Sequence, residues 1–298
     1  MNGKQYLDKH NPGVALQKDF LNVADEKSLL DELQSLFKSF SFRSCESIHL
    51  ETKDKNTKTL VNAFRVTGRP EQSYQVKAPW CYGNNFQKNA LDAYPEVLKL
   101  VTKVQNTIMN KEEGNPELRD ITINYRSSSM FMLDPHIDPL DGNDTTNYYH
   151  YYITYPQTNI IDGGHVFILG LKSPTVMTLT PDIELLMKNP NIFRNHIEPP
   201  IKIRNQMDAI SVLSWTDIDL DILIPKRGLL HLKNDARFSF KHAIRAGVEV
   251  DTSALSDDED YKHLKSQSSQ TVICDWFGNI NNLIPREQER VSVILAFK

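Results

Sequence analysis

The spacing of apolar positions changes part-way along the 298-residue chain. Residues 24–40 carry Leu29, Leu30, Leu33, Leu36 and Phe37 at helical spacing, and residues 89–110 repeat the pattern with Leu98, Val101, Val104 and Ile108. Asp25 and Glu26 fall in the first turn of the first stripe, where the positive end of a helix dipole favours carboxylates. Two amphipathic helices packed on a core are predicted. Residues 51–69 between them are polar and Lys-rich, with a short strand candidate at 59–66. From residue 118 the texture becomes short runs of β-branched and aromatic residues, at 121–125, 148–155, 165–171, 175–180, 209–213, 220–224, 229–232, 237–244 and 290–297. Asp141-Gly142, Gly163-Gly164, Ser173-Pro174, Pro225 and Gly228 punctuate them as turns. This pattern predicts an α+β chain: a sandwich or jelly roll over 118–298, with the N-terminal helices of 1–117 buttressing its outer face. Residues 251–270, acidic and then Ser- and Gln-rich, read as an exposed insertion loop.

Composition narrows the classes. Hydrophobic residues make up 40% and charged residues 24%, as in a soluble globular protein. No apolar run of about 18 residues appears, so no membrane-spanning helix is predicted. The start, Met1 to Gly13, lacks the apolar stretch of a secretory signal. Lys and Arg number 34 against 38 Asp and Glu, giving a formal charge of -4. That total argues against a strongly basic nucleic-acid binder but leaves a local basic rim open. Cys45, Cys81 and Cys274 form neither a disulfide framework nor a CxxC zinc site, which fits the cytoplasm or nucleus.

Candidate chemistry concentrates in the strand-rich part. His136 and Asp138 are two apart, so on an extended segment they project from one face. Non-haem Fe(II) oxygenases bind their ion with two histidines and one carboxylate, leaving the remaining positions open for cosubstrate and oxygen. The second histidine would come from a distant strand. His150, His165, His196, His231, His242 and His263 are all candidates, and spacing does not choose among them. His242 has aromatic and aliphatic flanks suited to a barrel strand, while His231, in Gly228-Leu229-Leu230-His231-Leu232, is its rival. Arg290 and Ser292 share one face at the start of the last strand. A planar guanidinium there offers a fork for a carboxylate, and a hydroxyl adds a donor.

Four segments in order resemble the Fe(II)/2-oxoglutarate dioxygenases of the AlkB branch, and within it the AlkB homologue 4 group. They are Leu133-Asp134-Pro135-His136-Ile137-Asp138, Leu171 to Met177, Ala236 to Ile244, and Arg290-Val291-Ser292. The resemblance covers roughly residues 118–298 and implies a cupin-like double-stranded β-helix preceded by a helical and lid region. It implies an iron site of His136, Asp138 and His242, with Arg290 on the distal carboxylate of 2-oxoglutarate, helped by Ser292, Tyr125 and Asn124. The implied cofactors are Fe(II), 2-oxoglutarate and O2, and the implied reaction is oxidative N-demethylation. Hydroxylation of an N-methyl group gives a hemiaminal that loses formaldehyde. The implied partners are methylated nucleic acid, such as N6-methyladenine in DNA, or methylated lysine on a protein such as actin.

The chain departs from that family in places. The second basic residue usual six positions after the arginine is replaced by Ala296, and Pro139 stands where relatives carry an acid. The Cys-rich N-terminal segment is missing, and 141–162 and 251–289 read as long insertions. Trp80 and Tyr82, ahead of the barrel, are candidates for stacking on a flipped base. Lys233, Arg237, Lys241 and Arg245, read as alternating on a strand, are candidates for a phosphate path, with Arg237 singled out as a substrate contact. Two other readings are a hydroxylase with a stable product and a jelly-roll binding module without turnover.

Overall fold

The computed structural model describes residues 11–39, 73–77, 94–109, 118–126, 133–137, 164–181, 219–245, 247–254, 262–266, 269–276 and 283–297. Thirteen strands and four helices follow in chain order among them. They are β1 (Val14–Gln17), α1 (Val23–Ser39), β2 (Ser73–Lys77), α2 (Pro95–Met109), β3 (Leu118–Arg126), β4 (Leu133–His136), β5 (His165–Leu171), β6 (Thr175–Pro181), β7 (Leu220–Ile224) and β8 (Leu229–Leu232). After these come α3 (Asp235–Phe238), β9 (Phe240–Ile244), β10 (Val248–Asp251), α4 (Lys262–Lys265), β11 (Thr271–Trp276), β12 (Leu283–Pro285) and β13 (Arg290–Phe297). The strand candidates at 59–66, 148–155 and 209–213 lie outside the described residues.

Strand order identifies the architecture. The larger sheet runs β1-β8-β5-β13-β3-β2 and the smaller β4-β9-β6-β7, with antiparallel pairing throughout. Setting β1 and β2 aside as edge additions leaves two four-stranded sheets. Their strands alternate between the layers in the interleaved Greek keys of a jelly roll, the double-stranded β-helix. The N-terminal region thus supplies two edge strands as well as helices.

Period-two alternation gives β5 and β13 two apolar faces each. On β13, Val291, Val293, Leu295 and Phe297 join Leu29 and Leu33 of α1 and Val97, Val101 and Val104 of α2 in one buried cluster. The alternate residues Ile294 and Ala296 pack on a second cluster, between the sheets, with Ile168, Met177, Leu179, Ile224 and Leu230. Burial on both faces explains why β5 and most of β13 read as nearly continuous apolar runs.

The helices are anchored by specific polar contacts. Pro95 opens α2, a position that needs no N–H donor. The Glu32 carboxylate of α1 accepts the backbone N–H groups of Glu96 at 3.0 Å and Val97 at 2.8 Å, satisfying orphan donors of the first turn. Asn22 caps α1 by accepting the Asp25 N–H at 2.7 Å. Lys99 holds the exposed Asp25 carboxyl below its ordinary range through a 2.7 Å hydrogen bond. Buried Glu26 accepts the Lys172 N–H at 3.2 Å and faces Arg227 at 3.4 Å and Lys226 at 3.7 Å. It thereby ties α1 to the β5–β6 and β7–β8 turns.

Two expectations are corrected. Residues 251–270 are not simply an exposed loop: Thr252–Ala254 form a 3-10 turn, and α4 buries Leu264 completely. Downstream, β11 pairs with both β10 and β12 in a third sheet. Residues 237–244 are not one strand either, because α3 precedes β9. The four basic residues therefore do not alternate along a strand. Arg245 is buried against Asp221, and against Asp219 at 3.3 Å.

Buried ions fasten the third sheet to the jelly roll. Arg286 approaches Asp275 at 2.6 Å and donates to the Arg245 carbonyl at 2.7 Å. Asp275 also accepts the Val176 N–H of β6 at 3.2 Å. Beside it, burial pushes the Cys274 thiol up to about 12. Removing one partner of such a pair leaves an uncompensated buried charge. Arg286→Ala is expected to lower unfolding stability by about 3–5 kcal/mol in chemical denaturation.

Candidate metal centre and cosubstrate pocket

His136 ends β4 and His242 occupies the middle of β9. They are antiparallel Cα partners, and their ring centroids lie 4.2 Å apart with planes inclined by 53°. The neighbouring partners are Leu133 and Ile244. Three steps along β4 therefore oppose two along β9, which is a β-bulge. Pro135 sits within the bulge on an edge strand, where a missing N–H is tolerated. The bulge brings His136 level with His242. On its other side His242 pairs with Leu179 of β6, a member of the inter-sheet cluster. The imidazole accordingly faces the space between the sheets and is buried.

The larger sheet faces it with polar side chains at the start of β13. Arg290 and Ser292 share the face of Ile294 and Ala296, towards the same interior, and are 3% and 2% exposed. Ser292 is flanked in register by Asn124 of β3 and Gly170 of β5. A Cβ on Gly170 would lie 3.2 Å from both the Ile224 side chain and the Pro225 carbonyl, so the glycine permits the two sheets to approach beside Ser292. Tyr125 instead pairs with Val291, in the row of the helix-facing cluster, and its side chain is outside the described residues.

Sequence reading missed Thr175. It opens β6 in the row of Met177 and Leu179 and is 1% exposed. Its Oγ1 has no hydrogen-bond partner in the structure. A buried hydroxyl in that condition costs about 1–3 kcal/mol, and its row faces the inter-sheet space with Met177 and Leu179. A threonine in an apolar strand looks like an ordinary β-former, and only the opposing strands reveal its place.

The rival histidines separate by face. His231 pairs with Phe167, whose ring belongs to the helix-side cluster, and stacks on it at 4.1 Å. His165 contacts His231 rather than His242. The His263 imidazole lies 3.0 Å from the Leu283 carbonyl, in the third-sheet region. His150 and His196 lie outside the described residues, as do Asp138, Trp80 and Tyr82. Arg237 is buried in α3, its guanidinium 5.6 Å from the Phe238 ring centroid. Ala296 packs on the inter-sheet cluster, so an apolar methyl occupies the position of the second base.

Among the described residues no three His, Cys, Asp or Glu side chains gather as a metal site. The adjacent imidazoles of His136 and His242 fit as neighbouring ligands of a borderline divalent ion such as Fe(II). Asp138 follows one residue after buried Ile137, the last described residue of that segment. The buried Arg290 guanidinium, with hydroxyls nearby, suits a carboxylate entering the same interior.

Comparison with known proteins adds little beyond this geometry. No family model matches the chain, and no curated protein matches it. Among solved structures, a prolyl hydroxylase from Trichoplax adhaerens, in complex with a hypoxia inducible factor peptide, aligns over 99% of this chain and 86% of its own. Its identity is 10% and its TM-score 0.39. The non-heme alpha ketoglutarate dependent epimerase SnoN from nogalamycin biosynthesis aligns over 99% and 82%, at 10% identity and a TM-score of 0.46. The order β8-β5-β13-β3 opposite β4-β9-β6-β7 is that of a double-stranded β-helix.

His242→Ala is expected to weaken Co(II) or Fe(II) uptake at least about tenfold, as loss of even an outer partner of a ligand does. Calorimetry on the purified protein checks this, with unchanged binding counting against the centre.

Proposed function

We propose that the chain is an Fe(II)/2-oxoglutarate-dependent dioxygenase. The observation that carries the proposal is the register pairing of His136 with His242 inside a jelly roll, facing a sheet that buries Arg290 and Ser292. His136, His242 and Asp138 hold the iron in this reading. Arg290 forks the distal carboxylate of 2-oxoglutarate, and Ser292, Asn124 and Thr175 donate around it. The apolar walls supplied by Ile294, Ala296 and Leu179 keep water from the reacting atoms. When bound, the iron would let O2 oxidise both reactants, one oxygen atom entering succinate as 2-oxoglutarate loses CO2 and the other entering a substrate C–H bond as a hydroxyl.

The finer reading is an AlkB-like oxidative demethylase acting on N6-methyladenine in nucleic acid or on methylated lysine in protein. Its support is the order of the four sequence segments around these residues. Burial of Arg237 and Arg245 removes the basic strand expected to guide phosphates. A small pocket that admits one methylated group, rather than a charged track, is therefore the form of recognition proposed.

Two measurements test these levels separately. Iron-dependent succinate formation from 2-oxoglutarate, including turnover without a second substrate, is expected and its absence counts against the dioxygenase; stimulation by a methylated DNA, RNA or peptide is expected for the finer reading. Formaldehyde release equimolar with succinate is expected for demethylation, whereas a hydroxylated product without formaldehyde marks a stable hydroxylase. Arg290→Ala is expected to raise the 2-oxoglutarate requirement at least about thirtyfold, the equivalent of roughly 2 kcal/mol for breaking a buried charge pair. Thr175→Val, which keeps shape and loses the hydroxyl, is expected to raise it about tenfold.

A further inference from the structure

A second pair of histidines lies in mutual reach on the other side of the larger sheet. Phe167 on β5 and His231 on β8 are antiparallel partners, and His165 stands two residues before Phe167 on the same face. This diagonal placement leaves His165 Nδ1 2.9 Å from His231 Nε2. The rings are 5.1 Å apart between centroids and inclined by only 25°. Phe167 supports the His231 ring in a near-parallel stack, at 4.1 Å and 11°. The His165 position itself pairs with Phe297 at the end of β13. Both imidazoles are partly exposed.

We propose that His165 and His231 form a second metal site, a two-imidazole clip across β5 and β8 for a late first-row divalent cation with right-angle coordination, Ni(II) or Cu(II). The spacing supports it. Two nitrogens at right angles around an ion, each about 2.0–2.1 Å away, lie about 2.9 Å apart. A hydrogen bond spans the same distance with its proton on the line between the nitrogens, and a cation sits off that line, so the rings turn about their side-chain bonds to reach it while the strands stay in place. The exchange needs no redox partner: the donating ring moves its proton to its other nitrogen and presents a lone pair. Rigid strand positions and the Phe167 stack pre-organise the donors. Imidazole favours Ni, Cu and Zn ions, and Cu(II) heads the affinity order. Water completes the coordination, so binding is weaker than at a site with more protein donors.

The site is independent of the catalytic reading, and its test removes the candidate iron centre first. The full chain carrying His136→Ala and His242→Ala is titrated with Cu(II) and Ni(II) by calorimetry, and the Cu(II) form is examined by electron paramagnetic resonance. One equivalent bound, with hyperfine splitting from two nitrogens, is expected. Adding His165→Gln is expected to weaken that binding at least about tenfold, as is adding His231→Gln. Thermal midpoints without metal verify folding. If the His231→Gln protein does not fold, His165→Gln decides alone. If the double-alanine background does not fold, the wild-type stoichiometry of two is expected to fall to one in His165→Gln. Absence of bound metal, or binding unchanged by the glutamine substitutions, overturns the proposal.

Discussion

The structure depends on strict alternation of side chains along strands buried on both faces. One step of slippage in β13 would exchange its helix-facing residues for the set that lines the inter-sheet space. Arg290 and Ser292 would then turn towards the helices, and Val291 would face the inter-sheet space. Apolar packing on both sides makes that slip expensive, because each face has its own buried cluster. The same rule places His242 inward through Leu179 and His231 outward through Phe167. Register, set by ordinary hydrophobic packing, thus sorts otherwise equivalent histidines into different chemical settings.

Charge is used differently in the two layers. Outside the smaller sheet, Arg245 and Arg286 are engaged by Asp219, Asp221 and Asp275. Their role is to hold the third sheet against β6, and the desolvation cost of the ions is offset by these close contacts. On the helical side Glu26 and Glu32 do comparable work, one binding turns and the other a helix end. Arg290 stands apart by position, because its residue row looks into the interior that His242 also faces. A buried arginine is therefore informative only once its sheet face is known.

Much of this was legible in the chain. The helical stripes around Leu33 and Val101 and the apolar runs of β5 and β13 stand out because burial on defined faces demands them. The HxD spacing and the Arg-x-Ser pair are local, so sequence displays them directly. The histidine on β9 was not selected by its flanks, because His231 sits in an equally apolar run; strand pairing separates the two. The α3 turn was hidden because Ala236 to Phe238 also suits a strand, and tertiary packing outweighs such weak preference. Residues 251–270 looked solvated because their few apolar anchors, Leu264 above all, are sparse among charges. Thr175 was invisible because a threonine in a strand has an ordinary explanation.

The central place of β13 between β3 and β5 also bears on how the polypeptide is made. It leaves the ribosome after every other described strand, yet it fills the middle of the larger sheet. Until it arrives, β3 and β5 each expose an unpaired edge, and β5 two apolar surfaces as well, a state open to pairing with other chains. Vectorial synthesis therefore leaves the sheet split until its final insertion. A chain truncated before β13 is left with two open strand edges in place of one continuous sheet.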